Sequence, residues 1–509
     1  MTSRLRMAAF DLGAESGRIF VGTSEGDRLG IEEIYRFPNE PVQYNGELHW
    51  DIGRLWFEIL RGLQQIGTRG LQLSSLGLDT WGVDYALLGK GGRLLENPFH
   101  YRDRRTVGAV DKVLQKISRA RIYKITGIQF MPINTLFQLY VQNATCPEML
   151  QIAERFVTIP DLFNFWLSGE VCCEYTNAST TQLLDVRTRL WSQELIEALD
   201  LPKHIFGPIV SSGTVLGPLK SEISNVSACG DPILVAPACH DTGSAFAAIY
   251  PQGEIAVLSS GTWSLLGAEL SSPITTDTAR EHNFTNEGGT CGSYRLLKNI
   301  AGLWLLQRFR LDWSAAHGTI SYNALVDQAA ESTAFRYFIN PDDPSFLLPE
   351  NMVTAIDAYL AATGQTLPPD SGSYARAIFE GLAFRYRAVL GELEKLTGKG
   401  YAGIRVVGGG SRNAVLNQLT ADATGRRVLA GPVEAAVLGN MAMQMVATNK
   451  VTNLQAARAI INASFPPEVY EPRNAVAWNH SFETFLDHTE RVRMRNDAQS
   501  YISQRPMDR

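Results

Sequence analysis

Pro237-Ala-Cys-His-Asp-Thr-Gly-Ser244 follows the apolar run Ile233-Leu-Val-Ala236 and precedes the small-residue segment Ser244-Ala-Phe-Ala-Ala-Ile249. The run reads as a buried strand and the segment as a helix, so Asp241 is expected where the strand ends and the helix begins. In open α/β sheets, ligands collect outside the carboxyl ends of the strands. A carboxylate there, between His240 and Thr242, is a candidate general base. Capping of the helix by Asp241 and Thr242 is the competing account. It weighs more if this octapeptide is taken alone. Cys239 beside His240 reads better as a small core residue than as a nucleophile, because neighbours on a strand point opposite ways.

Other strand ends shift the balance. Met7-Ala-Ala-Phe-Asp-Leu-Gly-Ala-Glu-Ser-Gly-Arg-Ile-Phe-Val-Gly22 reads as strand, tight turn, strand, with Gly13 and Gly17 permitting the turn. Backbone N–H groups of such a turn, with Ser16 and Arg18, suit a phosphate. Asp11 then suits a magnesium ion that keeps several waters. Leu71-Gln-Leu-Ser-Ser-Leu-Gly-Leu-Asp79 reads as another strand, running into Thr80-Trp-Gly-Val-Asp-Tyr85. Trp81 and Gly82 suit a sugar, although a lone tryptophan is more often simply buried. Ile404-Arg-Val-Val-Gly-Gly-Gly-Ser-Arg-Asn413 is a strand, three glycines and a helix start. That turn lets a ligand approach the backbone, and the helix N-terminus favours anions. It lacks the Gly-Lys-Ser/Thr ending of a Walker loop and the G-x-G-x-x-G of a dinucleotide fold.

The segment Glu254-Ile-Ala-Val-Leu-Ser-Ser-Gly-Thr-Trp-Ser-Leu-Leu-Gly-Ala268 echoes the first hairpin. Such internal similarity says more than either copy. A domain boundary is placed at the Tyr250-Pro-Gln-Gly253 break, giving residues 1–249, 250–475 and a charged helical tail, 476–509. Two hairpins of this kind, one per lobe, can face each other across a cleft and hold a polyphosphate, with Thr262 as the second contact. Asn299 to Leu311 reads as an amphipathic helix with Ile300, Leu303, Trp304 and Leu311 on one stripe. Gln307 falls on the stripe and Asn299 lies about 12 Å before it along the axis. A satisfied core glutamine explains Gln307 equally well. Glu170 to Tyr175 looks like an edge strand, Thr176 to Thr181 a polar turn, and Thr126 to Asn134 a loop with exposed apolar groups. Asn340 to Asn351, with three prolines, is a loop. Ser373 to Leu396 is a long helix that Gly398 ends.

At 509 residues the chain is too long for one ordinary core. A net charge of −6 spread over that length argues against a general nucleic-acid or anionic-membrane binder. No apolar run is long enough to span a bilayer, and the apolar stretch ending at Asp11 is too short for a signal peptide. The six cysteines form no zinc pattern, so a reducing cytoplasm is the simplest setting.

In order and spacing, these motifs resemble the FGGY carbohydrate kinase family. They are Asp11-Leu-Gly-Ala-Glu-Ser-Gly-Arg18, Asp79-Thr-Trp-Gly-Val-Asp84, Tyr101-Arg-Asp103, Tyr175-Thr-Asn-Ala178, His240-Asp-Thr242, Ser259-Ser-Gly-Thr-Trp-Ser264, Asn286-Glu-Gly-Gly289, Gly302-Leu-Trp-Leu-Leu-Gln307 and Val407-Gly-Gly-Gly410. The branch most resembled acts on L-rhamnulose. The resemblance implies an α/β chain of two ribonuclease-H-like (actin-like ATPase) domains flanking a nucleotide cleft. It implies ATP-dependent phosphorylation of L-rhamnulose at O1, with Mg²⁺. Related acceptors are L-fuculose, xylulose and glycerol, and an actin-like ATPase without a sugar is the reading from another class. By the resemblance Asp241 is the proton acceptor, and Gly82, His240, Asp241, Thr242 and Asn299 contact sugar. Ala14, Glu15, Ser16, Gly17, Arg18, Thr262, Gln307 and Gly409 contact ATP, and Asp11 is associated with the metal. Ala14 stands where the family often has Thr. Glu15 puts a negative charge in a phosphate-facing turn, which requires its side chain to point outward or to pair with Arg18. The expected partners are a small ketose and ATP, with neither nucleic acid nor membrane, and the chain is a monomer or homodimer.

Overall fold

The computed structural model describes residues 5–250, 254–347 and 349–503, with residues 492–503 described by their backbone alone. The break at 251–253, Leu348 in the proline-rich loop, and the end of the tail beyond 503 lie outside the described residues. The chain separates into two compact units. The first comprises Met1–Pro251, Ala268–Leu297 and Glu434–Pro466, and the second Gln252–Gly267, Lys298–Val433 and Pro467–Arg509.

The first unit is built on a six-stranded sheet. Its order is Thr214–Pro218, Ile233–Ala236, Ser75–Thr80, Leu5–Leu12, Ser16–Glu25 and Arg28–Pro38. The first hairpin pairs antiparallel, with Asp11 opposite Arg18. Leu5–Leu12, Ser75–Thr80 and Ile233–Ala236 run parallel, so their carboxyl ends share one edge. Asp11 is the register partner of Asp79, and Thr80 that of His240.

Alternation along these strands divides the sheet into two faces. Ala8, Phe10, Leu76 and Leu78 join a core with the helix Ile52–Thr68. That helix buries Ile52, Leu55, Ile59, Leu63 and Ile66, a stripe spaced by threes and fours. Asp51 caps it by accepting from the Arg54 N–H. The other face carries Ser75, Gly77, Asp79 and Asp11. Against it lies the helix Ala435–Ala447, whose Asn440 and Gln444 sit one turn apart. Asn440 Nδ2 donates to Asp79 Oδ2 (2.6 Å), and Gln444 Nε2 donates to Asn440 Oδ1 and to the Ala8 carbonyl (2.8 Å each). Ser75 Oγ donates to Gln444 Oε1 (2.6 Å). Gly77 has no side chain because a Cβ there would stand 2.4 Å from Asn440 Oδ1. The same helix crosses the helix Asp241–Ala247 at Gly439, where a Cβ would lie 1.7 Å from the Ser244 carbonyl oxygen.

The second unit repeats the hairpin-led arrangement. Ile255–Ser260 pairs antiparallel with Trp263–Leu270 and parallel with Gly403–Val407. Gly403–Val407 pairs parallel with Arg427–Ala430, which pairs antiparallel with Glu468–Tyr470. The helix Ser371–Thr397 buries Tyr374, Ile378, Leu382, Val389 and Leu393 as expected, and Gly398 ends it in the left-handed region at φ 67°. Gly381 on the stripe would place a Cβ 2.3 Å from the Ile339 carbonyl oxygen. The tail is the helix Ala475–Ser503.

Four local expectations are corrected. The helix thought to span Asn299 to Leu311 begins at Trp304, while Asn299 and Ile300 belong to the strand Tyr294–Ala301. Asn299 is therefore not a helical residue two turns before Gln307, and Leu311 is exposed. The apolar residues before Gly302 belong to a strand face that happened to match a helical spacing. The segment at Glu170 to Tyr175 contains a strand of only Cys173–Glu174, and the polar run after it is the helix Tyr175–Ser179, fully buried. Thr176, Ser179 and the Asn177 Nδ2 group find partners within the protein, while Asn177 Oδ1 is buried without one. Ile128 and Phe130, expected exposed, are buried. The helix start read at Ser411 to Asn413 is a short helical turn, Gly409–Arg412, followed by the helix Ala414–Thr424 with Asn413 as its cap.

Gly439→Ala should force two helix backbones apart and lower stability by about 1–3 kcal/mol or more. Gly391→Ala, on the long helix where a Cβ meets nothing within 4 Å, should instead raise it by roughly 0.5–1 kcal/mol. Thermal melts of the two variants should therefore move in opposite directions.

Candidate active site

In the first unit, the shared strand edge gathers the titratable groups. Asp11 ends the first strand, with only 3% of its surface exposed. Arg18, its partner across the hairpin, forms ion pairs with Asp11 and with Glu434 at the N-cap of the helix Ala435–Ala447. Burial pushes the Asp11 carboxyl up, Arg18 opposes that, and the Asp241 charge adds to it. Burial and the neighbouring Asp11 charge push Asp79 well above the usual carboxylate range. Its Oδ1 is buried without a hydrogen-bond partner, while Asn440 holds Oδ2. Burial works against the Arg18 charge, but Asp11 and Glu434 outweigh it and hold the guanidinium protonated.

The turn between the strands is tight. The Gly13 N–H donates to the Ser16 carbonyl (3.0 Å), and Asn39 Nδ2 donates to the Gly13 carbonyl (2.8 Å). Gly17 lies under the Phe37 ring, where a Cβ would come within 2.1 Å. Ala14 and Ser16 are half-buried, and Glu15 is exposed.

Asp241 is the first residue of the helix Asp241–Ala247, and its N-cap is His240. Asp241 Oδ1 accepts from the Thr242 N–H and from Thr242 Oγ1 (3.0 Å). So Asp241 does take up a helix-start amide, but with one oxygen only. Its side chain keeps 32% of its exposure, in contrast to the closed Asp79. Glu174 braces the loop before it by accepting from the Cys239 N–H (3.0 Å), the Thr176 N–H (2.9 Å) and Thr176 Oγ1 (2.6 Å). Burial raises the Glu174 carboxyl to about 7.

Gly82 and Val83 turn beside these groups. A Cβ on Gly82 would meet Thr180 Oγ1 at 2.9 Å. Val83 sits at φ 68°, a strained state for a β-branched residue. It persists because its N–H donates to Thr180 Oγ1 (2.9 Å) and its carbonyl accepts from Thr135 Oγ1 (2.5 Å). Trp81 is a buried tryptophan. Its indole N–H donates to Asp84 Oδ2 (3.0 Å), as does that of Trp50 (2.6 Å), and Gln138 Nε2 donates to Oδ1 (2.9 Å). Burial pushes the Asp84 carboxyl up to about 6. Enclosed by these donors, Asp84 anchors an aromatic stack.

In the second unit, three segments converge beyond Ser260. The Leu303 N–H donates to the Gly261 carbonyl (2.9 Å), and the Trp304 N–H to that of Thr262 (3.2 Å). This ties the hairpin turn to the start of the helix Trp304–His317, whose first turn carries the half-buried Gln307. Gly408 and Gly410 pack on Ser260, with would-be Cβ contacts of 2.9 Å and 2.0 Å. Gly409 between them is exposed, and a Cβ there meets nothing within 4 Å. Packing explains its neighbours but gives no reason for a glycine at 409. Asn299 is half-buried on the strand leading to Gly302.

Residues 6–248 match the family model "FGGY family of carbohydrate kinases, N-terminal domain", and residues 256–448 match that of the C-terminal domain. The chain belongs to the FGGY family of carbohydrate kinases. A protein of Bacteroides thetaiotaomicron named rhamnulokinase is 43% identical over 478 residues, 94% of this chain and 98% of that relative. One of Bacillus subtilis with the same name is 42% identical over 470 residues, 92% of this chain and 95% of the relative. Among solved structures, gluconate kinase from Lactobacillus acidophilus aligns with a TM-score of 0.79 at 17% identity, covering 95% of this chain and 97% of its own. Glycerol kinase from Plasmodium falciparum with ADP gives 0.79 at 16%, covering 96% and 98%. The fold is thus the two-domain, actin-like arrangement of the FGGY kinases, and the chain is a phosphotransferase that uses ATP on a sugar hydroxyl.

Several groups in this FGGY site were given no role from the sequence: Glu434, Asn440 and Arg295, and Glu287, which was quoted only as part of the motif Asn286 to Gly289. They meet Arg18, Asp79 and His240 only through pairing distant in the chain. Among the described residues no three His, Cys, Asp or Glu side chains form a ready cation cage, and no helix is long and apolar enough to cross a membrane.

His100 gives a pH test. It stacks on Trp50 with centroids 4.1 Å apart, and its Nδ1 accepts from the Arg102 N–H (3.0 Å). Burial, then the Arg102 charge, pushes its pKa down from 6.5 to about 3. The unfolded chain therefore binds the proton first. The stabilisation from a neutral His100 is complete above about pH 6.5 and is lost as pH falls toward 3. That is roughly 2 kcal/mol between pH 6.5 and 5. Urea unfolding at pH 7 and pH 5 should show a smaller loss for His100→Phe, which stacks but does not titrate.

Proposed function

We propose that this chain phosphorylates L-rhamnulose at O1, using ATP, to give L-rhamnulose 1-phosphate in L-rhamnose catabolism. The observation that carries this is identity of 43% and 42%, across both family domains, with proteins named rhamnulokinase. Residues 1–249 supply the sugar-binding lobe with the first phosphate hairpin and 250–475 the nucleotide-binding lobe, although within the latter span Ala268–Leu297 and Glu434–Pro466 pack with the first unit. The protein works in the cytoplasm as a monomer or homodimer, with neither nucleic acid nor membrane as partner.

Asp241 is the general base. One carboxylate oxygen is occupied by Thr242, which orients the group, and the other is left for the acceptor hydroxyl. It takes the O1 proton as O1 attacks the terminal phosphorus of ATP and ADP departs. Gly82, His240, Thr242 and Asn299 bind and orient the ketose. Ala14 to Arg18, Thr262, Gln307 and Gly409 bind the nucleotide, with Arg18 placed to meet phosphate charge and Gly409 to admit it.

Mg²⁺ fits the carboxylates of the first unit. Asp11 offers hard oxygens at a strand end, and Asp79 Oδ1 beside it accepts nothing. An ion that keeps several waters and shares phosphate oxygens needs only one or two carboxylates. Asp11 would hold it, directly or through water. When bound, the ion supplies neutralisation of the terminal phosphates.

Asp241→Asn keeps the acceptor for Thr242 and removes the base. Turnover should fall roughly 10²- to 10⁴-fold, about 3–5 kcal/mol of barrier, with an unchanged circular dichroism spectrum. Near-normal turnover would rule out Asp241 as the base. ATP consumption measured with L-rhamnulose, L-fuculose, xylulose and glycerol should give the highest kcat/KM with L-rhamnulose. A preference for another acceptor overturns the substrate assignment.

A further inference from the structure

Arg295 is wholly buried on the strand Tyr294–Ala301. Its register partner on the strand Thr285–Gly288 is Glu287, itself 6% exposed. Arg295 Nη2 lies 3.2 Å from Glu287 Oε2, and its Nε donates to the Gly288 carbonyl (2.8 Å). Removing either partner of such a buried pair strands the other charge, so the two residues are coupled. The bond that matters is a third one. Arg295 Nη2 also donates to His240 Nδ1, at 3.1 Å.

A guanidinium is a donor only. Glu287 Oε2 also stands 3.3 Å from the same ring nitrogen and would favour a proton there, but the guanidinium is nearer at 3.1 Å and can only donate, which makes Nδ1 the acceptor and leaves the imidazole proton on Nε2. That nitrogen lies 3.5 Å from Asp241 Oδ1, on the side of the proposed base. His240 then offers a donor beside the acceptor Asp241. A hydroxyl-bearing ligand is read by such a pairing, one oxygen accepting from the imidazole and another hydroxyl donating to the carboxylate. We propose that Arg295, backed by Glu287, is a positioning residue that fixes the tautomer of His240 and so directs Nε2–H to a hydroxyl oxygen of the acceptor sugar. This rests on the sugar-kinase reading above and adds to it a specificity device that does not touch the substrate.

The tautomer is measurable without substrate. Nitrogen-15 shifts of the His240 ring in the full chain should show an unprotonated Nδ1 and a protonated Nε2. Arg295→Met leaves Nδ1 facing Glu287 Oε2, 3.3 Å away, and the proton should move to Nδ1. Because that variant strands a buried carboxylate, Arg295→Met with Glu287→Leu serves as the folded counterpart. There the tautomer is no longer imposed, and both forms should appear. Arg295→Met should raise KM for L-rhamnulose roughly 10- to 100-fold, the double variant by only about twofold for an even mixture of tautomers, and KM for ATP should stay at the wild-type value in both. Wild-type protein with the proton on Nδ1, or a folded double variant with wild-type tautomer and sugar KM, overturns the proposal. If the wild type turns over no ketose, the functional reading fails instead, and the ring spectrum still decides the tautomer.

Discussion

Asp11 and Asp79 are neighbours across two parallel strands, both almost without solvent, and Asp241 stands within electrostatic reach of each. Two carboxylates in such a place cannot both be charged unless something answers them. Arg18 answers Asp11, and Asn440 answers half of Asp79. What surrounds the sheet edge follows from that need. Glu434 steadies the arginine, the Asn440–Gln444 pair brings a helix down onto the strand, and Gly77 makes room for it. An edge held in this way has its dipoles and charges oriented before any ligand arrives.

Asp241 is treated differently by the same fold. It remains partly open and bound to a neighbouring threonine, so it keeps access to an incoming proton. Enclosure of Asp79 and Asp84 and openness of Asp241 sort three acids of similar sequence context into different roles. Burial does the sorting, since it changes which protonation state each group prefers.

Much of this was legible in the chain itself. The apolar runs ending at Asp11, Asp79 and Ala236 are strands, and the octapeptide at Asp241 does join strand to helix. The echo between the first hairpin and Glu254 to Ala268 marks two structurally similar units. The glycines at 13, 17 and 408 to 410 do sit at tight turns. The misses have a common cause. Asn299 lies on a strand whose apolar spacing resembled a helix, and the buried polar helix at Tyr175 looks like a surface turn because its partners are elsewhere in the sequence. Glu434, Asn440 and Arg295 carry no local mark, because each acts on a group brought to it by tertiary pairing. Periodicity reports burial, not the identity of what a side chain is buried against.

The helix Ala435–Ala447 completes a sheet whose strands were made long before it. Asn440 follows Asp79 by 361 residues, an interval of tens of seconds at roughly 5–20 residues per second of synthesis. During that time the emerging chain holds its amino-terminal sheet with one face bare, along with the glycine grooves at Gly22 and Gly77 that Met441 and Asn440 later fill. The last step in folding of this unit therefore comes late in synthesis. The waiting surface is the kind that chaperones cover, and a fragment ending near residue 250 would keep it exposed permanently.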